Sequence, residues 1–509
     1  MREVKPRTQP RVQPSDVRSR NFDEVITGYT SLNALAEAQR CILCKNARCQ
    51  AACPLGNRIP EWIAALQQGH IEEAYRVIRS ISPMPELCSR LCPQERLCEG
   101  ACALGIKHEP VAIGLLERFV CDEWRQMAHR DPAIPALAGS AVLQQTAGRD
   151  VAPHGASSRE PLAVPVGLHG QDSPIARTSL SKRVAAVGSG PASLALAQSL
   201  ARDGHAVTIF ERWPHLGGVL RWLPRFKLPA RVLEDHLEML GRLGVKCYPN
   251  TEVCWIESLV TDEGFDAAFI GIGAGRPSVP ELPGATLDGV LSSTEFLVRV
   301  FYDAQQLPND WEPITDLIGR RVAVLGGGDS AMDCVRTAIR LGAAEVTCVY
   351  RRDEANMPGS KKEVQAAKEE GVRFQLLASP VAFRSTDARH VSQVECLRME
   401  LGDPDPSGRR APRPIAGSEF PVEADLVVLA FGYEVEAAFD NEHTYLMAPP
   451  RGTVKANPET GATPLRGVFA GGDCVTGANL VCMAARAGLV AAQGMRRYFA
   501  GEPWERLTT

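Results

Sequence analysis

The stretch RVAAVGSGPASLALAQSLARDGHAVTIFE, residues 183–211, decides the fold. It reads as an apolar strand, a tight turn from Gly188 to Ser193, an Ala/Leu-rich helix and a second strand ending in Glu211. Apolar runs without alternation suit parallel strands covered on both faces. Gly188 permits the turn, and Gly190 lets the backbone approach a pyrophosphate. Pro191 and Ala192 open the helix, and small Ser193, in place of a third glycine, lets helix and strand close up. The helix N-terminus offers its N–H groups to phosphate. Glu211 stands where a carboxylate accepts hydrogen bonds from ribose hydroxyls. Alone it would read as a solvated strand-end charge; with the glycines in register it reads as a ligand.

The pattern recurs in RVAVLGGGDSAMDCVRTAIRLGAAEVTCVYRR, residues 321–352. Here the turn is Gly326–Gly327–Gly328–Asp329–Ser330, and the second strand ends in Arg351 and Arg352 rather than an acid. Two guanidiniums at that point suit a 2′-phosphate, which favours NADPH over NADH. A surface basic pair is the competing reading. Asp329 either hydrogen-bonds within its turn or touches nucleotide. Two dinucleotide folds imply two nucleotides, or one nucleotide and a flavin. Near the C-terminus GVFAGGDCVTGA, residues 467–478, predicts a strand ending in Gly472 and Asp473. That carboxylate would lie near a flavin's ribityl chain, with the next helix N-terminus at the flavin's polar edge.

Outward from these units, the cysteines are the strongest signal. Nine of the 16 fall before residue 122, and eight of those form two quartets. The first is Cys41, Cys44, Cys49 and Cys53, followed by Pro54; the second is Cys88, Cys92, Cys98 and Cys102, with Pro93 after Cys92. Thiolates at these spacings wrap an iron–sulfur cubane, and a cysteine before proline commonly serves a neighbouring cluster. Zinc is the rival, but it favours paired knuckles, each closing one tetrahedral site. Cys41, Cys44 and Cys49 make a local cup, from which Cys53 points away; spacing alone does not assign the rest. Cys121, Cys247, Cys254, Cys334, Cys348, Cys396, Cys474 and Cys482 are isolated and read as core or surface thiols.

Helices are predicted over 59–66, over 71–78 and from Pro110 to about Gln126. The last has Val111, Leu115, Phe119 and Trp124 on its apolar face. Residues 1–30 read as a mobile arm. Residues 128–180 hold six prolines and no Phe, Tyr or Trp, which predicts a loose linker or insertion. With 509 residues, 45% hydrophobic and 23% charged, the chain is an ordinary globular protein of several domains. A net charge of −4 offers nucleic acid no attraction. No run approaches the ~20 apolar residues of a membrane span, and residues 1–20 lack the apolar core of a secretory signal. The expected location is cytoplasmic.

Taken together, these motifs resemble the small (β) subunit family of NADPH-dependent glutamate synthase. Its relatives include the N-terminal half of dihydropyrimidine dehydrogenase and the large subunit of NADH-dependent ferredoxin:NADP reductase. "VGSGPASLA", "GGVLRW", "GGGDSAMD", "RLGA", "VYRR", "MPG" and "FAGGDCVTGA" stand in family order. The likeness covers the chain except about 1–20 and 128–180. It implies an α/β glutathione-reductase-like fold, with an NADPH domain (301–424) inserted in an FAD domain (181–300 and 425–509) and a helical iron–sulfur domain (1–127) in front. FAD would meet Gly188, Gly190, Pro191, Ala192, Glu211, Gly218, Leu220, Gly273, Gly472 and Asp473. NADPH would meet Gly326, Gly328, Asp329, Ser330, Arg351 and Arg352.

The resemblance also implies two [4Fe–4S] clusters, one on Cys41, Cys44, Cys49 and Cys102, the other on Cys53, Cys92 and Cys98. Glu117 matches the relative's glutamine ligand and would complete the second, with Cys88 as rival. Electrons would run from NADPH through FAD and the near and far clusters to a larger catalytic subunit. That subunit could be the glutamate synthase large subunit or another dehydrogenase or ferredoxin-linked one; a non-catalytic scaffold is the remaining alternative. No glutamate-forming site is visible, since residue 2 is Arg and no (β/α)8 domain fits. Two departures stand out: GGVLRWLPRFKLP (217–229) is one residue shorter than the family's stretch, and 128–180 is longer than its usual connection.

Overall fold

A computed structural model describes residues 5–130, 181–308, 310–405, 408–436, 446–448 and 452–508. The predicted linker, past the end of the helix Ile113–Arg130, lies outside the described residues.

The two glycine-turn stretches nucleate two five-stranded parallel sheets of the same design. The first runs in the order Val468–Ala470, Ala267–Ile270, Arg183–Val187, Ala206–Phe210, Lys246–Tyr248. The second runs Arg373–Leu376, Glu345–Tyr350, Arg321–Leu325, Leu426–Leu429, Val290–Ser292. The central strands are buried on both faces, as their unbroken apolar runs require. Because Val468–Ala470 returns to the first sheet after the second is complete, the second unit is inserted in the first. The connections between units pair antiparallel, Arg276–Pro277 with Tyr433–Glu434.

The expected borders at 300/301 and 424/425 each leave a strand on the wrong side. Val290–Ser292 and Leu426–Leu429 both hydrogen-bond in the second sheet. Both are short and lack a glycine turn, so no local signal marks their membership. A three-stranded antiparallel sheet, Ala378–Arg384, Gln393–Pro404 and Arg410–Glu423, also belongs to this stretch of chain and was not foreseen.

In front stands a helical unit with its own core around Trp62, Ile63, Ile78, Leu116 and Val120. Its helices are Ile59–Gln67, Ile71–Ile81 and Ile113–Arg130, close to the predicted spans, with Pro60 in the first turn of one. Val111 and Phe119 are buried, and Trp124 stacks on Tyr75.

Residues 5–30 are not a loose arm. Arg18 is buried and pairs with Glu370 at 3.0 Å and Glu369 at 2.6 Å. Glu370 also takes Arg336 at 2.8 Å and Arg340 at 2.6 Å, and both guanidiniums lie over the Phe226 ring. Phe226 belongs to the shortened 217–229 segment, and its carbonyl accepts from Val25 N–H at 3.0 Å. Lys227, next in that segment, reaches Asp333 of the second unit at 2.8 Å. The N-terminal segment, the first unit's loop and the second unit thus meet at one ionic hub.

Candidate functional site

At the first turn Gly188 has φ +89°, and a Cβ there would lie 2.6 Å from the Gly271 carbonyl oxygen, so only glycine fits. Gly190 caps the helix Pro191–Arg202, whose first residue is proline. Glu211 is buried, and its carboxylate accepts from Ser189 N–H at 2.9 Å, Ser189 Oγ–H at 2.5 Å and Trp213 N–H at 2.9 Å. Those bonds fix the carboxylate against the turn with acceptor capacity to spare. Gly218 packs on Gly190, a Cβ there falling 3.0 Å from the Gly190 Cα. Gly273 has open space where a side chain would stand. Leu220 does not face the site; it is buried in the core beneath the turn, because its short helical turn aims it inward.

Gly472 lies 3.0 Å, at its would-be Cβ, from Ala192, which brings Asp473 to the mouth of the same turn. Asp473 Oδ1 is buried with no hydrogen-bond partner. Burial pushes its carboxyl up to about 6. An orphaned buried acceptor beside a glycine cradle is what a hydroxyl-bearing ligand would satisfy.

At the second turn Gly326 takes φ +144° and approaches Ala430, while Gly328 caps the helix Asp329–Arg340 with open space at its Cβ. Asp329 accepts from Ser360 N–H at 2.8 Å, and its other oxygen lies 3.5 Å from Arg96 Nη2 of the helical unit. It therefore ties its turn to neighbouring loops. Arg351 and Arg352 part company. Both line the cavity, but Arg351 is exposed, whereas Arg352 is only 4% exposed and donates to Asp405 at 2.6 Å and to the Arg410 carbonyl at 2.7 Å. Successive strand-end residues point to opposite faces, so the second arginine turns into the antiparallel sheet. One cavity of about 1700 Å³ joins the two turns, with Ser330, Gly472 and Asp473 in its wall. Cys92 of the second quartet is in that wall as well.

Four thiols drawn from both quartets share one pocket. Cys41, Cys44, Cys49 and Cys102 line one small cavity between Ile59, Ile63 and Ile113. Burial, with the neighbouring thiols Cys102 and Cys41, pushes Cys49 up to about 11. Cys98 lies within electrostatic reach of Cys53 and Glu117, and Cys53 of Glu117 and Cys88. Glu117 accepts from Asn57 Nδ2–H at 2.9 Å, and burial pushes it up to about 8. Cys482 and Cys88, with burial, push the Cys92 thiol well above its ordinary range. Among the described residues no three His, Cys, Asp or Glu groups close on a single metal ion.

Residues 182–488 match the family model described as pyridine nucleotide-disulphide oxidoreductase, and residues 18–129 match dihydropyrimidine dehydrogenase domain II, 4Fe-4S cluster. The small chain of NADPH-dependent glutamate synthase from Halomonas elongata is 37% identical over 97% of this chain and 96% of its own. The chain belongs to the glutamate synthase small-chain family. The putative oxidoreductase AegA of Escherichia coli is 38% identical over 94% of this chain and 68% of its own. Among solved structures, FprA of Mycobacterium tuberculosis shares the fold, with TM-score 0.52 and 18% identity over 63% of this chain and 86% of that one.

As a member of the small-chain family, the protein is an electron-transfer oxidoreductase working with NADPH, FAD and [4Fe–4S] chemistry. The residues present suit those groups: two glycine cradles, an orphaned carboxylate oxygen and convergent free thiols. No helix among the described residues is long and apolar enough to cross a membrane. Small chains of this family are parts of larger enzymes, so a larger subunit is implied. Cys482 escaped the sequence reading because it lies 380 residues beyond Cys102, on the helix Val481–Phe499, and its own surroundings look like core. Only the packing of that helix against the helix Pro85–Leu91 brings it to Cys92.

Proposed function

We propose that the first glycine turn holds FAD, the second NADPH and the two thiol groups two [4Fe–4S] clusters, serving a larger catalytic redox subunit. Gly188, Gly190 and the helix N-terminus after them would take the flavin nucleotide's pyrophosphate, Glu211 its ribose and Asp473 its ribityl chain. Gly326, Gly328 and Ser330 would cradle the NADPH pyrophosphate, and Arg351 alone its 2′-phosphate. Cys41, Cys44, Cys49 and Cys102 would hold one cluster, and Cys53, Cys92, Cys98 and Glu117 the other. When bound, these groups turn a two-electron hydride donor into single-electron output, which calls for no protein acid or base. The chain's own work is to orient, to exclude water and to set the order.

The observation that carries the order is the shared cavity wall. Cys92 lines the cavity that joins both turns, whereas Cys41, Cys44, Cys49 and Cys102 line a separate one. The cluster on Cys53, Cys92, Cys98 and Glu117 would therefore be the near one, and the cluster on Cys41, Cys44, Cys49 and Cys102 would face the partner. The glutamate synthase large subunit is the partner this reading favours. The 36% identity to the NADP⁺-dependent formate dehydrogenase subunit beta of Moorella thermoacetica supports a second reading, the diaphorase subunit of another NADP-linked complex. Purified chain should carry flavin, about eight irons if both cubanes form, and NADPH:ferricyanide activity. Protein without flavin or that activity would leave only a scaffold role. Co-purification with an amidotransferase-type large subunit supports the first reading; recovery with a different dehydrogenase supports the second.

A further inference from the structure

The loop between Cys92 and Cys98 reaches out of the helical unit to the second glycine turn. Glu95 accepts from Ser360 Oγ–H at 2.7 Å, with Lys362 Nζ 3.6 Å away. Ser360 N–H in turn donates to Asp329, and Gly359 N–H donates to the Gly327 carbonyl at 3.1 Å. Arg96 donates to the Pro358 carbonyl at 3.0 Å and approaches Asp329 at 3.5 Å. Asp329 is the first residue of the helix that Gly328 caps. A guanidinium of the helical unit thus stands at the nucleotide turn, in the wall of the shared cavity.

Arg96 is lightly engaged there. Of its five N–H donors, two contacts use some among the described residues, and the one to Asp329 is at the limit of a hydrogen bond. Its side chain is 48% exposed. Both carboxylates at this meeting have other donors, Ser360 N–H for Asp329, and Ser360 Oγ–H with Lys362 for Glu95. Arg96 can therefore leave Asp329 for a phosphate, its best-matched anion, without stranding a charge.

The loop behind Arg96 is tightly braced. The Gln94 carbonyl accepts from the N–H groups of Leu97 at 3.0 Å, Glu99 at 2.9 Å and Gly100 at 3.1 Å. The Gln94 side chain donates to the Ser89 carbonyl at 3.1 Å and lies against Gly114, whose would-be Cβ falls 2.5 Å from Gln94 Nε2. Gly114 and Glu117 are three residues apart on one helix and share a face. Close-packed elements transmit strain, so a pull on Arg96 reaches Cys92, Cys98 and the helix that bears Glu117.

We propose that Arg96 binds the pyrophosphate of NADPH from the helical unit, and that the cluster on Cys53, Cys92, Cys98 and Glu117 senses nucleotide occupancy through it. The proposal rests on the proposed function for the places of nucleotide and cluster. Arg351 at the strand end reads the 2′-phosphate, and Arg96 at the turn reads the diphosphate bridge.

The test uses the full holoprotein and the 3-aminopyridine analogue of NADP⁺, which accepts no hydride. Calorimetry should show Arg96→Ala weakening its binding about three- to tenfold, with Arg96→Lys recovering part of the loss. Displacement by 2′-AMP, which keeps the 2′-phosphate and lacks the pyrophosphate, should give the wild-type affinity. Flavin and iron content should match wild type; where Arg96→Ala loses either, Arg96→Gln removes the charge and keeps a donor for Pro358. In dithionite-reduced wild-type protein the saturating analogue should change one of the two cluster EPR signals. That change should be lost in the saturated Arg96 variant. Unchanged analogue affinity would overturn the proposal, as would an equal loss for 2′-AMP. Wild-type cluster signals indifferent to bound analogue would overturn the link to the cluster. Wild-type protein that carries no iron or binds no analogue would instead sink the underlying functional reading.

Discussion

Arg352 donates to Asp405 at 2.6 Å, while Arg351, its neighbour in sequence, stands exposed in the wall of the nucleotide cavity. Both line that cavity, but among the ion pairs of the described residues only Arg352 has a carboxylate partner, so the two are expected to differ in role. Arg351→Ala should raise the KM for NADPH about 10- to 100-fold, as loss of a charge-assisted contact predicts. It should leave the KM for NADH near its original value. Arg352→Ala should instead lower the melting temperature, because Asp405 loses its partner. Steady-state kinetics with both nucleotides, beside calorimetry, separates the roles; equal NADPH loss from both variants would contradict the division.

Gly188→Ala should abolish flavin loading. The added Cβ would meet the Gly271 carbonyl at 2.6 Å, and φ +89° is strained for any L side chain. The visible flavin bands relative to protein absorbance give the readout. Iron content should be retained, since the helical unit has its own core.

Glu117 and Cys482 both stand beside the second thiol group, in different roles. If Glu117 is the proposed oxygen ligand, Glu117→Ala should alter the EPR signal of one cluster and spare the other. Cys482→Val should keep full iron content and shift the potential of that same cluster, since a thiol beside Cys92 is lost. Two unaltered signals in Glu117→Ala would reject the ligand assignment. Iron loss in Cys482→Val would make Cys482 a ligand itself.

The hub at Glu370 predicts acid sensitivity. Burial alone would raise its carboxyl, but hydrogen bonds from Arg340 and Arg336, and their charges, outweigh burial and hold it at about 2. A depressed folded value means stabilisation that is present above the ordinary value of 4.5 and lost as pH falls from there toward 2. Glu370→Gln leaves three buried guanidiniums short of counter-charge and should cost about 3–5 kcal/mol. The melting temperature of the variant should depend less on pH across that window than that of the parent. A parallel pH profile in both proteins would place the acid sensitivity elsewhere.

The glycine turns, the two nucleotide units and the local cup of Cys41, Cys44 and Cys49 were legible in the chain because each is a local device. A turn at positive φ demands glycine within a few residues, and a thiol cup is written in its own spacing. The pairing of Arg352 with Asp405, the burial of the Leu220 side chain and the approach of the core thiol Cys482 to Cys92 were not legible, because each depends on where a side chain points after distant segments pack. Arg352 faces a sheet that begins 26 residues later, and Cys482 meets Cys92 across 390 residues of chain. The border strands Val290–Ser292 and Leu426–Leu429 were misplaced for the same reason: sheet membership is a hydrogen-bonding choice among strands of similar composition. Local stereochemistry thus determined what kinds of sites the chain holds, and long-range packing decided which side chains reach them.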